Sequence, residues 1–228
     1  MIQTKKKVKR KLPKFLSEEE IDKIREILVQ DETIARRQLR ETKKAGSQWI
    51  KRLRNKVFNA KRDQAVFALF YSSGIRLAEL VGIDLDDLDL KRSVVKVLGK
   101  GGDEREGDLT SLAIKALNKY LKARQFWKGH NGQALFLNRT GNRIQSRDVQ
   151  RRIEDYGKRA GIKQRITPHI NRHSIATHLL DSGMDVRRIQ GFLGHKSLAS
   201  TQIYTEIRTK KQREEIENHH PDYRKQSD

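Results

Sequence analysis

The sequence predicts a mainly α-helical protein carrying one small antiparallel β-hairpin or sheet. Three observations lead there. Apolar residues recur at three- and four-residue spacing along several stretches, and glycines stand where those stretches stop. One segment around Val94, Val95, Val97 and Leu98 is instead a short β-branched run, followed by the turn Gly99-Lys100-Gly101-Gly102.

The elements follow in order. Ser17 precedes Glu18, Glu19 and Glu20 with capping-box spacing, and Ile21, Ile24, Ile27 and Leu28 form an apolar stripe, so a first helix is expected over 17–30. Residues 33–60 read as a very basic helical segment interrupted at Gly46. Ala65, Val66, Leu69 and Phe70 give a short core helix ending at Ser72-Ser73-Gly74, and Leu77 to Val81 a further helical turn. The strand at 94–98 and a return strand near 105–109 make the hairpin. Beyond it, helices are expected over 110–126, 146–160, 170–182, 185–193 and 200–208, with Gly161, Gly183 and Gly194 as terminators. Three regions result: a basic flexible tail at 1–16, a body at 17–208 containing the basic segment 33–60, and a C-terminal tail at 209–228.

Composition narrows the function. The 228 residues suit one sizeable domain with short appendages, and their apolar runs favour a folded chain despite the 35% charged content. Lys and Arg exceed Asp and Glu by 50 to 29, a net charge of +21 that favours a polyanionic partner, most economically nucleic acid, though an anionic membrane surface would also satisfy it. The excess is uneven: residues 1–60 carry 18 basic and 8 acidic side chains, residues 61–100 only 7 and 6. Lys5, Lys6, Lys7, Lys9 and Arg10 suit a tail following a phosphate backbone, and Arg36, Arg37, Arg40, Lys43 and Lys44 extend that surface. Arg147, Arg151 and Arg152 make the helix at 146–160 the candidate for the major groove. Cysteine is absent, which excludes disulfides, thiolate catalysis and Cys-based metal sites. No stretch approaches 18 apolar residues, and no apolar run follows the basic start as in a signal peptide, so a soluble, cytoplasmic (nucleoid-associated) protein with no membrane partner is expected.

Three motifs carry the chemistry. In Gly74-Ile75-Arg76-Leu77-Ala78-Glu79-Leu80 an arginine follows a glycine turn, where it can point at an anion or pair with Glu79. In Thr167-Pro168-His169-Ile170-Asn171-Arg172-His173, His169 and Arg172 stand three apart at a helix start, where the dipole favours an anionic oxygen. His173 and His178 read as decoys, at least one of them packing or hydrogen-bonding within the fold. In the third, His195 follows the helix-ending Gly194, and Tyr204 lies nine residues later.

Taken together, these motifs resemble the catalytic domain of the tyrosine recombinases, the phage-integrase-like family that includes the Xer-type resolvases. The family pattern is an arginine in G-[IL]-R-x-x-E-L, a hairpin lysine, an H-x-x-R box, a histidine in L-G-H and a tyrosine. It falls on Arg76, Lys100, His169, Arg172, His195 and Tyr204, in order, within a nearly continuous likeness over 62–208. The resemblance implies a tyrosine recombinase catalytic-domain fold and DNA cleavage and rejoining through a 3′-phosphotyrosyl intermediate, as in integration, excision, inversion or resolution. Arg76 and Arg172 would clamp the phosphate with His195 adding a donor, His169 would act as base or relay, and Lys100 would protonate the leaving 5′-oxygen. No metal or other cofactor is implied. The implied partners are double-stranded DNA with paired recombination sites and three further copies of the chain, making a tetramer on DNA, with 209–228 the candidate element exchanged between protomers.

Four departures from the family pattern stand out. The stretch before Arg76 is expected to be too short for the helical core-binding domain that usually precedes it. The basic segment 33–60 is longer than usual. Asn171 occupies the usual leucine position, where it is expected to pack less tightly or hydrogen-bond locally. The hairpin returns through the acidic segment Asp103-Glu104-Arg105-Glu106-Gly107-Asp108, expected to be flexible. Two other readings use the same residues: a type IB topoisomerase-like enzyme, or a DNA-binding protein on this fold with weak or no strand exchange. Asp84, Asp86, Asp87 and Asp89 read as a solvated acidic loop rather than a two-metal nuclease site.

Overall fold

The computed structural model describes residues 15–42, 46–99, 102, 104–127 and 132–194. Helix α1 (Glu18–Glu41) starts at the expected capping box: Ser17 Oγ accepts from Glu20 N–H, and Glu20 Oε2 accepts from Ser17 N–H at 3.0 Å. It runs eleven residues beyond the expected 17–30, because Glu32 and Ala35 continue the buried stripe of Ile21, Ile24 and Leu28. Helix α2 (Ser47–Ser73) joins the second part of the basic segment and the expected short core helix into one element. It lies at the centre of the body, packed against α1, α4 (Ser111–Gln125) and α6 (Pro168–Asp181). The described residues of the segment 33–60 lie in or next to α1 and α2. Ala35, Leu53, Phe58 and Ala60 are buried, while its described cations are exposed. The expected boundary at residue 17 also falls late, since Leu16 is fully buried and its N–H donates to Ser174 Oγ of α6 at 2.8 Å.

α2 ends on Gly74 in the left-handed conformation at φ 56°, and a β-carbon there would lie 2.8 Å from Leu193 Cδ2. Both conditions require glycine. Helix α3 (Leu77–Gly82) and a 3-10 turn (Leu85–Asp87) follow. The sheet has three strands rather than two: β1 (Leu88–Asp89), β2 (Val94–Leu98) and β3 (Glu104–Asp108), antiparallel in that order. β3 pairs with β2 over its full length, from Val94 opposite Asp108 to Leu98 opposite Glu104. The return is thus an ordered strand. Its alternation turns Arg105 and Gly107 inward and leaves Glu104, Glu106 and Asp108 in solvent.

The aspartates near the sheet form a partly solvated stretch, with Asp86 exposed and the other three half-buried and held by local bonds. Asp84 pairs with Arg143, Asp87 Oδ2 accepts from Asp84 N–H at 2.8 Å, and Asp89 Oδ1 accepts from the N–H groups of Lys91 and Arg92. Helices α5 (Ser146–Arg159), α6 and α7 (Val186–Leu193) complete the described chain, within two residues of expectation. The helix expected at 200–208 and the tails at 1–14 and 209–228 lie outside the described residues. No helix among those described is long and apolar enough to cross a membrane.

α7 is attached differently from the rest. Its Ile189 and Leu193 pack with Ala176 of α6 in a small cluster separate from the main core. Burial of two such side chains contributes roughly 3–6 kcal/mol. An eight-residue helix has little stability of its own, so its position depends on those contacts and on polar bonds at its C-terminus.

Candidate active site

Three elements deliver arginines to the end of α7. Arg76, in the turn between α2 and α3, donates from Nη2 to Gly194 O at 3.4 Å. Arg172 on α6 donates from Nη2 to Leu193 O at 2.6 Å and from Nη1 to Gly74 O. Arg105 on β3 donates from Nη1 to Phe192 O at 3.2 Å. Three successive carbonyls at the negative end of a helix are thus each met by a different guanidinium, where cations are favoured. The chain leaves this grip at Gly194, and the next residue is His195.

Glu79 is the carboxylate that meets Arg76 and Arg105 among the described residues. Its Oε1 accepts from Arg76 Nη1 at 2.7 Å, and its Oε2 accepts from Arg105 Nη2 and from Arg76 N–H, both at 2.8 Å. Burial pushes this carboxyl up, but the hydrogen bonds from Arg76 and the charges of Arg105 and Arg76 outweigh it, holding Glu79 below the ordinary carboxylate range. Arg76, Arg105 and Arg172 bring three guanidinium groups to one end of α7, a set of donors suited to an anionic oxygen. The two alternatives for Arg76, pairing with Glu79 or pointing at an anion, are compatible: its side chain remains 36% exposed while paired.

His169 lies in the first turn of α6, capped by Thr167, whose side chain accepts from Ile170 N–H, and it is exposed. Arg172, one turn on, is buried. Of the six residues of the motif, Arg76, His169 and Arg172 are thus described, and both arginines reach the end of α7. Lys100, His195 and Tyr204 lie outside the described residues, Lys100 falling in sequence between the paired strand ends Leu98 and Glu104. His178 is structural, with Nδ1 at 2.8 Å from Tyr71 Oη and its ring edge-on to Phe15. His173 also packs edge-on to Phe15, and burial pushes its imidazole below the ordinary range. Asn171 is completely buried, and neither its Oδ1 nor its Nδ2 has a partner among the described residues, so the local hydrogen bond expected for it is not found there.

The candidate DNA surface divides. Arg147 and Arg151 are exposed on the outer side of α5, opposite buried Val149, Ile153 and Tyr156. Arg152 turns inward instead. Its Nε donates to Asp63 Oδ2 at 2.7 Å and its Nη2 bonds Tyr156 Oη at 2.7 Å, joining a network in which Arg62 holds the other Asp63 oxygen. Arg36, Arg37 and Arg40 are exposed on α1, Arg36 in contact with Glu32 at 3.3 Å. Lys5, Lys6, Lys7, Lys9, Arg10, Lys43 and Lys44 lie outside the described residues.

A model of the Phage integrase family matches residues 40–211, a span that contains every arginine and histidine of this site. The chain belongs to the phage integrase family. Among its relatives, the tyrosine recombinase XerC of Thermodesulfovibrio yellowstonii is 40% identical over 220 residues, covering 94% of this chain and 65% of that protein. XerC of Azotobacter vinelandii is 49% identical over 150 residues, covering 66% of this chain and 50% of that protein. The crystal structure of XerA recombinase superposes with a TM-score of 0.70 at 30% identity, over 92% of this chain and 67% of that one. XerH bound to its palindromic difH substrate matches with a TM-score of 0.69 at 23% identity, over 91% of this chain and 53% of that one, a likeness of fold. The mainly helical body with its small antiparallel sheet is thus the tyrosine recombinase catalytic-domain fold, of the Xer-like kind. The chain spans between half and two thirds of the length of these relatives.

Arg105 and the dual role of Arg172 were missed from sequence. Strand alternation places Arg105 on the same face as Gly107, but that this face turns inward follows only from the structure, where Gly107 packs so closely on α2 that a β-carbon would lie 2.9 Å from Ser73 Cβ.

Proposed function

We propose that this chain is the catalytic part of a site-specific DNA recombinase that cuts and rejoins one strand at a time through Tyr204. The phenolic oxygen attacks the scissile phosphorus, a P–Oη bond forms, and the bond from phosphorus to the 5′-oxygen breaks. The phenol proton passes to His169, and the departing 5′-oxygen takes a proton from Lys100. One phosphoester replaces another, so the free 5′-hydroxyl of a second strand can reverse the step. Charge developing on the non-bridging oxygens is met by Arg76, Arg172 and His195. Double-stranded DNA carrying paired sites is the substrate, and four protomers on two duplexes complete the exchange.

The observation that best supports this reading is the convergence of Arg76 and Arg172 on the end of α7. It puts two charged forks beside the chain that continues to His195 and Tyr204. A duplex nicked just beyond the scissile phosphate tests it, because the short 5′-fragment diffuses away and traps the intermediate. A denaturant-resistant protein–DNA adduct is expected from the parent and not from Tyr204→Phe. A mobility shift without adduct from the parent would make the chain a DNA-binding protein and overturn the proposal.

A further inference from the structure

Arg105 lies outside the six-residue motif and meets the α7 terminus with only 15% of its side chain in solvent. One guanidinium nitrogen reaches Glu79 Oε2 at 2.8 Å and the other reaches Phe192 O at 3.2 Å. Its aliphatic stem passes so close to Gly194 that a β-carbon there would lie 2.5 Å from Cδ and 2.7 Å from Nε. Gly194, at φ 64°, therefore answers two demands, a left-handed cap and the passage of this side chain. Arg105 itself is fixed opposite Val97 in the β2–β3 ladder. One rigid strand residue thus braces Glu79, which orients Arg76, and braces the last turn of α7, from which the chain runs on to His195.

We propose that Arg105 is a positioning residue for strand cleavage, its planar fork fixing the exit of α7 and the Glu79–Arg76 pair relative to the sheet. The proposal rests on the recombinase reading, because what it positions are the residues of that chemistry. Only a guanidinium suits the role: its two nitrogens diverge to a carboxylate and a carbonyl at once, whereas a lysine ammonium presents a single point charge. Arg105 makes no contact with DNA in this role. Its loss should slow cleavage without weakening binding.

The test compares the parent with Arg105→Lys, which keeps the charge and removes the fork. Adduct formation is followed under single-turnover conditions at saturating protein, well below both melting temperatures, on two nicked duplexes. One carries the natural 5′-oxygen and the other a bridging 5′-sulfur, which leaves without a proton. DNA affinity within threefold of the parent is expected, with an adduct rate lower by about 10–100-fold on both duplexes, the scale of loss that follows a displacement of about 1 Å at a reacting centre. An unchanged rate would overturn the proposal, even with a lowered melting temperature, because the role would then be structural only. Full rescue by the sulfur substrate would also overturn it, since Arg105 would then act through the proton donor Lys100. Should Arg105→Lys melt too low to assay, Gly194→Ala presses on the same side chain from the opposite side, and the same rate pattern is expected from it. If the parent forms no adduct, the recombinase reading fails by itself. Hydrogen exchange still decides the bracing: amides in the last turn of α7 are expected to exchange at least tenfold faster in Arg105→Lys, and equal exchange would overturn it.

Discussion

The Arg172→Ala substitution removes a guanidinium that is only 6% exposed and holds two backbone carbonyls, those of Gly74 and Leu193. Each buried carbonyl left without a donor costs about 1–3 kcal/mol, so the pair costs about 2–6 kcal/mol. For a chain of this length each kcal/mol lowers the melting temperature by roughly 2–4 °C, giving an expected fall of roughly 4–24 °C. Arg76→Ala should behave differently. Its side chain is 36% exposed, and the Glu79 carboxylate it leaves keeps Arg105 and the residue-76 N–H as donors. A partly solvated ion pair contributes about 0–1 kcal/mol, so a shift below about 4 °C is expected. Thermal unfolding of both variants without DNA, followed by calorimetry or circular dichroism, measures the contrast. Equal shifts, or an unchanged melting temperature for Arg172→Ala, would refute the bridging role assigned to Arg172. Arg76→Ala is consequently the cleaner probe of the clamp, and its single-turnover cleavage is expected to fall by about 10²–10³.

Asn171→Leu is expected to stabilise the protein by about 1–3 kcal/mol, because it replaces a fully buried amide that has no partner among the described residues; a lower melting temperature in the same experiment would show that the amide is satisfied. Glu79 has a folded-state pKa below its ordinary 4.5, so its contribution to stability is fully present above about pH 4.5 and is lost as the pH falls through the lower folded value. The stability advantage of the parent over Glu79→Gln should therefore be constant near neutrality and shrink below pH 4.5. Denaturant titrations from pH 3 to 7 check this, and an advantage that grows on acidification would contradict it. Neutralising Arg36, Arg37 and Arg40 should weaken binding to cognate and scrambled duplexes alike and flatten the slope of log affinity against log salt by roughly 0.9 for each phosphate no longer neutralised. Poorer discrimination with an unchanged slope would mean that α1 reads bases.

Local rules were enough wherever one signal dominated. The capping box at Ser17 and the left-handed glycines at 74, 183 and 194 placed helix ends to within a residue or two. Where a helix depended on tertiary contact the reading fell short: α1 continues because Glu32 and Ala35 face other elements, which periodicity at its start does not reveal. The short β1 strand exists only because Leu88 and Asp89 find Val95 and Val94 across a turn. At the candidate site, residue types and order pointed to Arg76, His169 and Arg172, of which the two arginines meet at the end of α7, but charge alone does not tell a solvent-facing arginine from a bracing one. Arg152 shows this, since its partner Asp63 is 89 residues away in sequence. Arg105 shows the converse, an arginine among acidic neighbours on a strand whose inward side was apparent only once the sheet was paired.

The central claim, that Tyr204 becomes covalently joined to the 3′ end of a cut DNA strand, is tested most directly by mapping the attachment. The parent is trapped on a nicked duplex, the DNA is digested to its last nucleotides, and the protein is fragmented for mass spectrometry. The account predicts that the peptide containing Tyr204 carries the nucleotide mass through a phosphate on the tyrosine ring, and that the modification is absent in Tyr204→Phe. A nucleotide attached to any other residue, or persisting in the phenylalanine variant, would contradict it.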